Sequence, residues 1–335
     1  MNKLHANTPC KGASVVRFGE RRRRCTGCGA TWRIRKKKRG RKPKRTTIDL
    51  CLRYLDHRTP SMWAQAKAGV ETERVQQGRL NRSRNFFLRH ATWTPIPPGP
   101  DPLVVVLDAM IFRWKGCFYT CYLILLRRPQ DTEAVITPFW LEAGKEMQSG
   151  WRHALDRLPE STKARIRAMV SDGHLGAVNY AKQHGWLLQR CHFHLLAAIQ
   201  GRRSRFAKSN HQEEGKRIYA LVARCLATPN EQEAEALVYK IEAEALTTSS
   251  PQLRRILRGF VHYYEYFRMY RYHPDLHLPT TTNAAESLNA CVKELQHRAR
   301  GFATIESFEK WICALLKFKQ KVTCNGSKYQ PNYRR

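Results

Sequence analysis

Acidic residues are scarce in this chain: 27 Asp and Glu stand against 60 Lys and Arg, for a formal net charge of +33 at pH 7. A merely solubilising surface would mix the two signs, so the deficit argues against that role. It is deepest at the front, where residues 1–99 hold 25 Lys and Arg and 5 Asp and Glu, a local excess of +20 (25 − 5). Such a field draws in a polyanion, and nucleic acid gains further from counterion release. Long apolar runs are missing as well. The longest, CFYTCYLILL (117–126), is too short to span a bilayer and is followed by Arg127-Arg128, so no membrane partner is expected. The N-terminus lacks the apolar run of a secretory leader. The 11 cysteines are odd in number and scattered through apolar segments, as at Cys117, Cys121, Cys225 and Cys313. That pattern opposes a disulfide framework and predicts free thiols in a reducing, cytoplasmic setting. No internal repeat, heptad pattern or Ser or Cys nucleophile constellation is evident.

What is present begins with Cys25-Thr-Gly-Cys28-Gly and Trp32, one knuckle of a zinc ribbon. The second knuckle is incomplete, because Asn7 stands where a cysteine would pair with Cys10. Two readings stay open: a zinc ion held by His5, Cys10, Cys25 and Cys28, or a ribbon held by packing alone. KKKRGRKPKR (36–45) follows and closes a first segment, 1–45. Arg39 and Arg41 flank Gly40 there, as in arms that enter narrow minor grooves. A linker that touches phosphates would look the same.

Residues 46–93 predict a helix-turn-helix domain. TIDLCLRYLDHR places Ile48, Cys51, Leu52 and Leu55 on one helical face. A helix from near Pro60, a turn at Ala68-Gly69-Val70 and a helix from Glu71 come next. Arg74, Gln77, Arg79 and Asn81 are the candidates for the groove-facing side. Any small three-helix domain shares this periodicity. The proline-rich TPIPPGPDP (94–102) is a stiff linker and marks the main boundary.

Beyond it the pattern becomes α/β. LVVVLDAMIF (103–112), CFYTCYLILLR (117–127) and EAVITPFW (133–140) predict consecutive strands. A helix over about 145–158, a strand IRAMVSD (166–172), a helix over 174–184 and a strand WLLQRC (186–191) follow. This order predicts a mixed sheet with helices on its faces. Residues 195–275 show helical patterns and no strand signal, and 321–335 is a basic tail.

Two aspartates end apolar strands, Asp108 in VVVLD and Asp172 in AMVSD. A carboxylate after buried apolar residues is costly unless a cation or donor waits at the sheet's carboxyl edge. Two such acids on one sheet are a natural holder of divalent metal. Asp172 also suits the N-cap of the helix that follows. Glu286 is the third candidate, although Asn283-Ala-Ala-Glu286 has capping-box spacing too. Ala290, Lys293 and His297 continue its helix face, so a basic stripe leads away from the acid toward phosphate.

VVVLDAMIF, SDGHLGAV, QRCHFHLL and TTNAAESLNACVKELQHRARG occur in the order and context of the DDE transposases of the Mutator superfamily, and the chain resembles that family over about residues 100–320. The resemblance implies an RNase H-like catalytic domain over 103–320, with an all-helical insertion at about 195–280. It implies Asp108, Asp172 and Glu286 as a metal-binding triad, and double-stranded DNA, both element ends and target, as the partner. A homodimer or higher oligomer on DNA and a nucleoid location follow from the same resemblance. Oxygen ligands favour two Mg²⁺ or Mn²⁺ ions over zinc at the triad. Such ions activate water against a phosphodiester and stabilise the leaving 3′ oxygen, after which the freed 3′-hydroxyl attacks target DNA. Two other functions fit the same residues: a structure-selective nuclease that cuts without joining, and a DNA-binding regulator that no longer cuts.

QRCHFHLL (189–196) first suggests zinc, with Cys191, His192 and His194 in four positions. Cys191 and His194, at i and i+3, fall on one side of a helix and His192 points elsewhere. Two ligands do not close a structural zinc site. The resemblance makes Cys191 and His194 a Cys-x-x-His element that braces the active-site floor.

Overall fold

The computed structural model describes residue 11 and residues 13–19, 22–33, 48–56, 73–203, 212–299 and 302–324, which fall into two units, 1–47 and 48–335. In the first unit β1 (Val15–Arg17), β2 (Arg22–Cys25) and β3 (Thr31–Arg33) form an antiparallel meander, with Val15 opposite Cys25 and Arg24 opposite Thr31. Cys25 is buried and Cys28 exposed in the turn between β2 and β3. The turn closes by Gly29 N–H to the Cys25 carbonyl at 3.0 Å, with Gly29 at φ +73°, a region open to glycine without steric cost. His5, Cys10, Arg39 and Arg41 lie outside the described residues.

The second unit is built on a mixed sheet of seven strands. Its order is β10 (Lys321–Thr323), β6 (Glu133–Ile136), β5 (Cys117–Arg127), β4 (Leu103–Trp114), β8 (Ile166–Ser171) and β9 (Leu187–Arg190), with β7 (Trp140–Ala143) also on β5. β4 pairs antiparallel with β5 and parallel with β8, and β8 runs parallel with β9. Alternation along β4 explains the two layers. Val104 and Val106 join one core and Leu103, Val105 and Leu107 the other, so both faces of the strand are covered.

The first core holds α1 (Asp49–Leu55), α2 (Glu73–His90), α9 (Asn283–Arg298) and α10 (Ile305–Lys319). The second holds α3 (Gln148–Asp156) and α4 (Leu175–Gln183), where Trp151 meets the Tyr122 ring edge-on at 5.0 Å. A third core belongs to α5 (His192–Arg203), α6 (Gln212–Ala227), α7 (Glu231–Thr247) and α8 (Pro251–His262). These helices lie between β9 and α9, where the described residues form no strand.

Several elements differ from the sequence expectations. EAVITPFW is not one strand: β6 ends at Ile136 and β7 starts at Trp140. Pro138 between them has no N–H for a ladder. Residues 321–323, expected in the basic tail, form β10 against β6, with Val322 opposite Ala134. α2 packs on the main unit by one face. It buries Leu80, Ser83, Arg84 and Phe87, and Arg84 donates to the Ser307 carbonyl of α10 at 3.3 Å and lies over the Trp311 ring. The main unit accordingly starts at Ile48, and α1 and α2 share its core. The expected helix from Pro60 and the turn at 68–70 lie outside the described residues. No helix among the described residues is long and apolar enough to cross a membrane.

Candidate active site

Asp108 sits within β4, not at its end, since the strand continues to Trp114 along β5. It nevertheless lies at a sheet edge. The parallel β4–β8 ladder stops at the pair Val106–Val170, and Asp108 and Asp172 follow two residues on along each chain. Asp108 has the same parity as Val104 and Val106, which places it on the face covered by α9. Its carboxylate accepts from the Ala109 N–H at 3.0 Å and from Asn289 Nδ2 at 2.7 Å. Burial pushes the Asp108 carboxyl up to about 7, the charge of His194 opposes that rise, and the Asp172 and Glu286 carboxylates add to it.

Asp172 follows the last residue of β8 and accepts from the His174 N–H at 2.9 Å. It is not the helix N-cap: His174 holds that place, its Nδ1 accepting from the Gly176 N–H at 3.1 Å. Asp172 is thereby held by its own loop and left beside the sheet edge. Glu286 is in the first turn of α9, but the capping box is not formed. The helix begins at Asn283 after Thr282, so Asn283 is inside it, and Glu286 Oε1 instead accepts from Thr282 Oγ1 at 2.9 Å. Ala290, Lys293 and His297 are all exposed along this helix.

The Cys-x-x-His pair joins the acids. Cys191 is 1 % exposed, and its Sγ accepts from the Thr282 N–H at 3.3 Å. Thr282 Oγ1 lies 3.4 Å from the same sulfur and has only one proton, which the nearer Glu286 carboxylate takes. His194 Nδ1 is 3.5 Å from Glu286 Oε1. Its hydrogen bond to Cys191 raises the imidazole, burial opposes, and the charges of Cys191, Asp108 and Glu286 raise it further, to about 9. Both the Cys191 partner and the carboxylates thus favour the protonated imidazole. Ligand atoms of Cys191, His194 and Glu286 lie within 4.8 Å of one another, a third member that local spacing alone did not provide. His192 does point elsewhere, with Nε2 at 2.8 Å from the Phe267 carbonyl.

Three residues of this region escaped sequence reasoning. Asn289 is one helical turn from Glu286, so the i, i+3 spacing in ESLN was the available signal. Glu146, just before α3, accepts from Trp151 Nε1 at 2.7 Å and lies 3.7 Å from His174 Nδ1. Burial first, then the Asp172 charge, raises its carboxyl. Arg190, at the end of β9, donates to the Asp172 carbonyl at 3.1 Å. Nothing local marks these last two, because tertiary packing alone brings them to Asp172. Of the expected DNA contacts on α2, Gln77 donates to Asn81 Oδ1 at 3.2 Å and Arg79 is exposed; the Arg74 side chain lies outside the described set.

The sequence of β4 through β10 also matches a known family. The model for "Transposase, Mutator family" aligns with residues 105–322, which spans the acids, the Cys-x-x-His element and the helical layer. A search of curated proteins finds no match. Because the family model covers well over half of the chain, this protein belongs to the Mutator family of transposases.

Proposed function

We propose that the main unit is an RNase H-like domain that cuts and joins DNA at Asp108, Asp172 and Glu286. The observation that carries this reading is the convergence of three acids from β4, the β8–α4 loop and α9: burial chiefly raises the Asp108 carboxyl, and the nearby Asp172 and Glu286 charges add to that rise. Like charges gathered at a buried strand need a cation, and oxygen donors of this kind fit Mg²⁺ or Mn²⁺. Bound, such ions would activate the attacking water and offset charge on the leaving 3′ oxygen. The chain's own groups prepare the place. Asn289 orients one oxygen of Asp108, Thr282 orients Glu286, and the His174 N–H orients Asp172. His194 offsets carboxylate charge from the Cys191 side. In the joining step the freed 3′-hydroxyl forms a new bond to a target phosphorus as that phosphorus releases its own 3′ oxygen.

DNA itself would be held first by charge, through the +20 of residues 1–99 and the exposed Lys293 and His297. On the same reading the ribbon and basic arm of 1–45 grip element ends, with or without zinc at Cys25 and Cys28, and a dimer or larger assembly pairs two ends.

Glu286→Gln tests the triad. Gln keeps an oxygen that accepts from Thr282, so folding and DNA binding should match the parent while cleavage disappears. Cutting at the parent rate would remove Glu286 from the triad. A strand-transfer assay with the element's own terminal sequences then sorts the functions. Joined product supports a transposase, cleavage without joining a nuclease, and binding without either a regulator.

A further inference from the structure

Beside Asp172, between the sheet edge and the helical layer, lies a cavity of about 330 Å³. That is within the ~300–1,000 Å³ of small-molecule sites. One side is the catalytic edge, with Asp172, Cys191 and His194; the other comes from α8 and the turn after it, including Arg255, Ile256 and Tyr263. Arg190 lies between them. Its guanidinium carbon is 5.2 Å from the Tyr263 ring centroid and 5.1 Å from that of Phe267. It packs on Gly173, where a Cβ would come within 2.3 Å of Arg190 Nε. Glycine is needed there twice over, since its φ is +95°.

This cation is poorly satisfied. Its only hydrogen bond among the described residues goes to a carbonyl, that of Asp172, and Nε is buried without a partner. The guanidinium is partly buried beside the Asp172 charge, yet its Nε donor is unused, and an anion entering the cavity would take it up. Arg255 brings a second, exposed guanidinium to the rim. The remaining wall is aromatic and aliphatic, which a bare phosphate would not use but the face of a base would.

We propose that this cavity receives one nucleotide of the DNA strand, unstacked from its neighbours. Its base lies against Tyr263 and Ile256, and Arg190 and Arg255 meet its phosphate. The proposal rests on the DNA-cleaving reading and adds that the strand is distorted next to the scissile bond. A stacked duplex cannot present a base this way, so the site selects nucleotides that are already unpaired or readily extruded.

The test is photocrosslinking of the full chain, in EDTA so that nothing is cut, to an oligothymidylate carrying one 5-iododeoxyuridine, with adducts mapped by mass spectrometry. Anisotropy of the same oligonucleotide reports binding separately. The expected result is an adduct on the 255–267 segment, reduced about tenfold by Tyr263→Ala, as loss of a stacking platform predicts. Tyr263→Phe should retain it. Arg255→Ala, an exposed change that spares the core, should also lower the yield. Binding with adducts only elsewhere, or a yield indifferent to both Arg255→Ala and Tyr263→Ala, overturns the pocket and leaves the cleavage reading intact. No binding at all overturns both.

Discussion

At the residue scale, Asn289 carries more than its place one turn beyond Glu286 suggests. It is 6 % exposed, donates to Asp108 Oδ2 at 2.7 Å, and keeps its own Oδ1 buried without a partner. One side chain thus ties the helix that bears Glu286 to the strand that bears Asp108. On the proposed metal-binding role of Asp108, Asn289→Ala should raise the Mg²⁺ concentration needed for half-maximal cleavage by roughly ten- to a hundredfold, as for other partners behind metal ligands. A cleavage titration against Mg²⁺ checks this; an unchanged midpoint would make Asn289 a packing residue only. His192 supplies a pH prediction. Burial, chiefly, lowers its pKa from 6.5 to about 4, so the folded protein holds it neutral. The unfolded chain binds the proton first, so this contribution is complete above about pH 6.5 and is lost progressively as pH falls toward 4. The difference of about 2.5 between the two values corresponds to roughly 3 kcal/mol. His192→Asn should flatten the stability–pH curve over that window in urea titrations; parallel curves for variant and parent would refute it.

At the element scale, the approach of α3 to α4 decides where Glu146 and Asp172 stand. A Cβ at Gly176 would come within 2.5 Å of the Gln148 Cα, a backbone atom that cannot step aside. Gly176→Ala should therefore cost about 1–3 kcal/mol, the usual range for overpacking, and lower the Tm by several degrees. Gly201→Ala is the contrast: nothing lies within 4 Å of its Cβ, it is on an exposed helical position, and Ala is the better helix former. Calorimetry on the two variants should give opposite signs, and a Tm for Gly176→Ala equal to the parent would contradict the close packing. Some elements could be read directly. LVVVLDAM has apolar residues at both parities, so a strand covered on both faces was legible, and Lys115-Gly116 with both φ positive closes the hairpin to β5. Others could not be read. β10 exists because Lys321–Thr323 finds an open edge on β6, and the buried Arg127 donates to the Cys324 carbonyl beside it. No local pattern announces a partner nearly two hundred residues away.

At the scale of the whole molecule, charge is unevenly spread along the chain. Of the +33 excess, +20 falls within residues 1–99, ahead of all three acids in the sequence. Affinity for non-specific DNA should then fall steeply with salt, by about 10³–10⁵ between ~50 and ~200 mM if six to ten phosphates are neutralised. Anisotropy over a salt series measures the slope, and a flat series would rule out phosphate contacts as the main source of affinity. The same measurement on Asp108→Asn should give the parent's slope, because the buried acid is not part of the exposed basic surface.

The sequence by itself determined the excess of positive charge, the α/β order, the strand-free helical stretch and the family, because composition, periodicity and motif order are local or additive properties. It also put Asp108, Asp172 and Glu286 forward as acids without an apolar purpose. Only the tertiary structure decided that Thr282 rather than a capping box holds Glu286, that His194 stands beside the Glu286 carboxylate, and that Arg190 and Glu146 border Asp172. Those relations depend on distances between β4, β9, α3 and α9. Such distances come from how two cores pack on opposite faces of one sheet, and no short window of sequence encodes them.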